Sequence, residues 1–108
     1  MNQELFKARA AIAKALAHEA RLKIIDILSK NGETCACEFT EALELSQPSV
    51  SKHLSVLKNV GIISSVKDGL NVIYKLEMPC AATFFSCIDE ILFTRIKSRQ
   101  KMLGLDNK

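Results

Sequence analysis

Apolar residues recur at three- and four-residue steps through most of the 108 residues and alternate with polar ones in a single stretch, a pattern of several helices and one hairpin. Leu5, Ala8, Ile12, Ala15 and Leu16 predict a first helix over about Gln3–Ala17, with an alanine-rich surface that invites close packing. Leu22, Ile25 and Leu28, with Ile24 alongside, predict a second over about Glu19–Lys30, stopped by Asn31-Gly32. Phe39, Leu43 and Leu45 place a short helix over Glu38–Leu43. Val50, Leu54 and Leu57 mark a helix that begins near Gln47, where Ser46 is a fitting N-cap and Pro48 lacks an N–H that would find no partner anyway.

The runs Ile62–Lys67 and Leu70–Leu76 flank Asp68-Gly69, a strong hairpin signal. A bare two-stranded ribbon is marginal in water, so one of its faces is expected to rest on the helices. From about Cys80 to Ser98, Phe84, Phe85, Ile88, Ile91, Leu92 and Ile96 give a last helix an apolar stripe broader than a small core can cover. The fold class that follows is mainly α with a β-hairpin: a winged helix-turn-helix of about five helices and a two-stranded wing, one domain over residues 1–108. The surplus apolar surface on the first and last helices predicts a twofold homodimer.

The helix at Gln47 carries the functional signal. With Val50, Leu54 and Leu57 turned to a core, Gln47, Ser49, Ser51, Lys52, His53 and Ser55 lie on or near the other face. Short hydrogen-bonding side chains can reach base edges and phosphates without holding the helix off a duplex. Lys67, Asn71 and Tyr74 of the wing are placed to touch the DNA backbone. The net charge of +3 is unevenly spread: Ser46–Lys75 holds Lys52, Lys58, Lys67 and Lys75 against Asp68 alone, whereas Glu33–Glu44 holds four glutamates and no base. A chain so mildly basic binds DNA weakly as a monomer, a second reason to expect a dimer on the duplex.

No apolar run approaches the ~20 residues of a membrane span, and the start Met1-Asn2-Gln3-Glu4 lacks a secretory layout. The expectation is a cytoplasmic protein without a membrane partner, in which four cysteines are reduced thiols or metal ligands. Thr34 is a reasonable N-cap for the short helix, which puts Cys35 and Cys37 in its first turn, where the helix dipole favours thiolates although Glu33 and Glu38 oppose it. Side chains two apart on a helix diverge by roughly 200°, so joint capture of a soft ion is expected to cost local helix. Spacing alone equally allows two small, half-buried packing residues. Cys80 and Cys87, about two turns or roughly 10 Å apart on one helix, cannot share an ion within a chain. They suit packing, and either is a candidate third thiol beside Cys35 and Cys37. His18 reads as a helix-start residue.

Ala15–Ile24, the Cys35-Ala36-Cys37-Glu38 box, Ser46–Leu54 and the Asp68-Gly69 hairpin together resemble the ArsR/SmtB family of winged-helix repressors, over about residues 8–96. The resemblance implies a homodimer on the operator of a metal- or metalloid-resistance operon, released when a soft inducer binds. The Cys-x-Cys box is similar to that of the arsenite and the cadmium/lead sensors. It implies As(III) or Sb(III) as inducer, with cadmium or lead next, and no organic cofactor. Two features depart from those sensors: the position of a third box cysteine is Thr40, and residues 1–34 contain no cysteine. No histidine follows His53, against a zinc site on the last helix. Two other readings remain open, a thiol-oxidation or persulfide switch using Cys80 or Cys87, and a constitutive DNA-binding module with incidental cysteines. No acid/base pair, activated nucleophile or glycine-rich phosphate loop points to an enzyme.

Overall fold

The computed structural model describes residues 2–104. Five helices and three strands follow in the order α1 (Gln3–Leu16), α2 (Glu19–Asn31), β1 (Thr34–Cys35), α3 (Ala36–Leu43), α4 (Gln47–Asn59), β2 (Ile63–Asp68), β3 (Asn71–Leu76) and α5 (Ala81–Met102). Local chemistry accounts for the ends. His18 caps α2, its Nδ1 accepting the Ala20 N–H at 3.0 Å. Gly32, at φ 76°, closes α2 in a conformation that costs a side-chain-bearing residue, and its N–H reaches the Leu28 carbonyl. Ser46 caps α4 by accepting the Ser49 N–H at 3.3 Å, with proline in the first turn.

The core gathers Ile24, Ile25 and Leu28 of α2, Phe39 of α3, Val50, Leu54 and Leu57 of α4, and Ile62 and Ile63 at the start of the wing. The three- and four-residue spacing in α4 thus does bury the expected stripe. α1 contributes only its end, Ala15 and Leu16; Leu5, Phe6 and Ile12 are exposed. Along α5, Ile91, Leu92, Phe93 and Ile96 are likewise exposed, so these two helices carry the surplus apolar surface expected of them.

The sheet differs from the expected two-stranded wing. It has three antiparallel strands in the order β1-β3-β2, with Thr34 opposite Tyr74 and Cys35 opposite Ile73. Thr34, expected to cap α3, is instead a buried strand residue whose hydroxyl donates to the Gly32 carbonyl at 3.0 Å. A strand of two residues has no room to display an alternating pattern, and its partner lies some forty residues away. The hairpin turn is also displaced by one residue. Asp68 pairs with Asn71, so the loop is Gly69-Leu70, with Gly69 at φ 67°; glycine at the first loop position suits a II′ turn that follows the strand twist.

Candidate inducer and nucleic-acid site

The two box cysteines differ in backbone state. Cys35 is extended (φ −72°, ψ 146°) and is itself the N-cap of α3, its Sγ accepting the Cys37 N–H at 3.4 Å. Glu38 reaches back to accept the Cys35 N–H at 3.0 Å, closing a reciprocal capping box. The sulfurs stand 2.6 Å apart as free thiols. The expected obstacle to joint capture, two thiols diverging from one helical turn, is therefore removed: only Cys37 is helical. With Cys35 outside the helix, joint capture of one ion by both thiols does not ask α3 to unwind.

The expectation of a dipole-favoured thiolate fails for Cys37. Its hydrogen bond with the Cys35 thiol pushes its pKa up, followed by desolvation and by the charges of Cys35 and Glu38, and these outweigh the backbone contribution. Both thiols must lose their protons as a divalent cation binds.

A cleft of about 550 Å³ opens between α3, α4 and the wing. Cys35 and Cys37 line one side, Gln47 and Ser51 of α4 the second, and Asn71 and Tyr74 of β3 the third. Cys35 Sγ lies 4.0 Å from Asn71 Oδ1. The Tyr74 ring meets Phe39 edge-on, with centroids 6.3 Å apart, and burial raises its phenol pKa. Four of the residues expected to meet DNA thus share one cavity with the two expected to meet a soft ion.

The other expected contacts lie outside that cavity. Lys52 and Ser55 are exposed on α4, and Lys67 on β2. Ser49 is half-buried, its Oγ accepting from the Ser46 hydroxyl at 3.1 Å. His53 is engaged from the opposite flank: Arg21 Nε donates to its Nδ1 at 3.1 Å, and the His18 ring lies 4.4 Å away centroid to centroid. Cys80 sits at the N-cap of α5 and Cys87 within it, both exposed thiols. Among the described residues no three His, Cys, Asp or Glu side chains converge on one point, so neither joins the box pair within the chain. Arg21 and Thr34 were not among the expected site residues; no pattern local to either announces its contacts.

The bacterial regulatory protein family arsR matches residues 18–65. The arsenic resistance transcriptional regulator ArsR1 of Pseudomonas putida is 35% identical over 97 residues, covering 88% of this chain and 71% of that protein. The chain belongs to the ArsR family of transcriptional regulators. This ArsR-family chain is also 42% identical over 77 residues to the arsenical resistance operon repressor of Escherichia coli, covering 71% of the chain and 66% of the repressor. A cadmium resistance regulatory protein, the CadC homolog of Staphylococcus aureus, is 41% identical over 68 residues, covering 63% of the chain and 56% of that protein. Among solved structures, Rv0081 of Mycobacterium tuberculosis superposes with a TM-score of 0.77 at 26% identity, covering 91% of this chain and 98% of that one. The winged-helix Mb0332 domain of Mycobacterium bovis, a homodimer in solution, has a TM-score of 0.73 at 24% identity over 88% of this chain and 87% of that one, a likeness of fold. Among the described residues no helix is long and apolar enough to cross a membrane.

Proposed function

We propose that the protein is a homodimeric repressor of a metal- or metalloid-resistance operon, released from its operator when a soft inducer, As(III) or Sb(III) before cadmium or lead, binds Cys35 and Cys37. The observation that carries this reading is the shared cleft: both thiols line the cavity that separates Gln47 and Ser51 from Asn71 and Tyr74. In this reading α4 enters the major groove, Gln47 and Ser51 meet base edges, and Lys52, Ser55 and Lys67 meet phosphates. An ion held by both sulfurs shifts the start of α3 against β3, and the reading helix and wing then no longer fit one duplex together.

The relatives' names support the inducer class: arsenic and arsenical resistance for two, cadmium resistance for a third. Trivalent arsenic favours three thiolates. The ion is held by Cys35 and Cys37 alone or takes a third thiolate from Cys80 or Cys87, neither of which lies beside the pair in its own chain. Exposed Ile91, Leu92, Phe93 and Ile96 on α5, with Leu5, Phe6 and Ile12 on α1, supply the apolar surface for the dimer.

Titration of the reduced protein on its promoter DNA with arsenite, cadmium, zinc and polysulfide, with thiolate-to-metal absorbance followed in parallel, tests the reading. Release by arsenite or cadmium with matching absorbance is expected. Release by polysulfide alone would select the thiol-oxidation reading, and no release by any of the four would select the constitutive one.

A further inference from the structure

α4 is held on two flanks, and only one of them is the thiol cleft. On the other, a smaller cavity of about 360 Å³ is lined by His18, Glu19 and Lys23 of the α2 start, Leu43 and Leu45, and Ser49 and His53 of α4. Arg21 Nε donates to His53 Nδ1 at 3.1 Å, and the same guanidinium reaches the Ala15 carbonyl at 3.4 Å. His18 Nδ1 is occupied by the Ala20 N–H. One arginine thus ties the end of α1, the start of α2 and the middle of α4 together, across 32 residues of sequence to His53.

We propose that Arg21 is a positioning residue for the reading helix, and that its bond to neutral His53 is a proton-sensitive latch whose opening weakens operator recognition. The inference rests on the reading of α4 as the DNA-reading helix. Its chemistry is that of a lone pair. His53 Nδ1 accepts from Arg21 only while unprotonated; a proton there sets two donors against each other and places imidazolium beside guanidinium. The groups facing the ring do nothing to offset this. His18 and Arg21 from α2 and Lys52 on its own helix all oppose a positive charge, and Glu19, on the cavity rim, is paired with Lys23 at 3.1 Å.

The direction of the pH effect follows. Desolvation first, then His18, Arg21 and Lys52, lower the His53 pKa, so the ring is neutral at neutral pH and takes its proton only as pH falls below the ordinary histidine range. The latch is closed above that point and opens below it. A proton excluded from the operator-bound form weakens binding by up to about tenfold per pH unit once pH is below the free-state pKa.

The test compares operator affinity of the reduced dimer, without inducer, for the wild type and His53→Asn, whose amide oxygen can accept from Arg21 but takes no proton. As pH is lowered from about 7.5 through the His53 midpoint, the wild-type affinity relative to the variant should fall, at a slope approaching about tenfold per pH unit below that midpoint. A ratio independent of pH would overturn the latch while leaving the DNA reading intact; a wild type that binds its promoter at no pH would instead overturn that reading. An NMR titration of the wild-type imidazoles covers the case in which the variant fails to fold. The His53 midpoint should lie below the ordinary histidine value and move up in Arg21→Ala, and a midpoint at or above the ordinary value in the wild type would contradict the proposal.

Discussion

Cys35 Sγ lies 4.0 Å from Asn71 Oδ1, and the Cys35 backbone is paired with Ile73 on the same strand. One residue is therefore thiol, N-cap of α3 and edge strand of the wing sheet at once. Under the proposed function, a displacement of its sulfur would be felt at both the helix-turn-helix and the wing. In the proposed release, the coupling would run through the three-residue span of Cys35 to Cys37 without a melted helix.

That route predicts where motion appears. On loading with arsenite, amide exchange at Cys35, Ile73 and Tyr74 should quicken, while Ile24, Ile25 and Leu28 in the core of α2 stay protected. Exchange measured by mass spectrometry or NMR on reduced free and loaded protein checks this. Unchanged protection in β1 and β3 alongside full operator release would show that the signal leaves by another path.

Proton linkage separates the two inducer classes. Arsenous acid exchanges hydroxide for thiolate and releases water, so its affinity should stay nearly flat while both thiols are protonated. A divalent cation must expel two protons, so cadmium affinity should rise by up to about 100-fold per pH unit in the same range. The raised Cys37 pKa extends that range upward. Competition titrations at several pH values between 6 and 8 give the two slopes.

Lys52→Ala should weaken operator binding for all sequences alike and lower the salt slope by about one, as the loss of one phosphate contact requires. Gln47→Ala and Ser51→Ala, which border the thiol cleft, should instead alter base preference, with each lost base contact worth about 1–3 kcal/mol of discrimination. Filter-binding titrations on operator variants at several salt concentrations distinguish the two behaviours.

Phe39 is fully buried and meets Tyr74 edge-on. Phe39→Ala should cost about 3–5 kcal/mol of stability, read as a lower denaturant midpoint, because the ring fills the junction of α3 with β3. Cys35→Ser should leave the midpoint within about 0.5 kcal/mol, since serine is a strong N-cap and the site is only half-buried.

What was legible in the sequence was local or periodic. Ser46, Pro48 and the Val50, Leu54, Leu57 stripe announced α4 because a cap, a first-turn proline and a buried face each leave a mark within a few residues. Gly32 announced the end of α2 for the same reason. The Cys35–Ile73 pairing left no such mark, because a two-residue strand exists only through a partner far along the chain. Its absence from the sequence pattern is what made Thr34 look like the cap and both thiols look helical. The Arg21–His53 bond, 32 residues apart, was hidden likewise, and spacing alone made His53 one more DNA-contacting side chain. The turn slipped by one because Asp-Gly and Gly-Leu are both acceptable hairpin loops, and the Asp68–Asn71 pairing decided between them.

Release through the box cysteines is tested most directly by one measurement. Fluorescence anisotropy of labelled promoter DNA is followed while arsenite is added to the reduced wild type and to the Cys35→Ser/Cys37→Ser double variant. The prediction is equal grip on DNA before arsenite, dissociation of the wild type, and retention by the variant. Dissociation of both proteins at the same arsenite concentration, or retention by both, would contradict it.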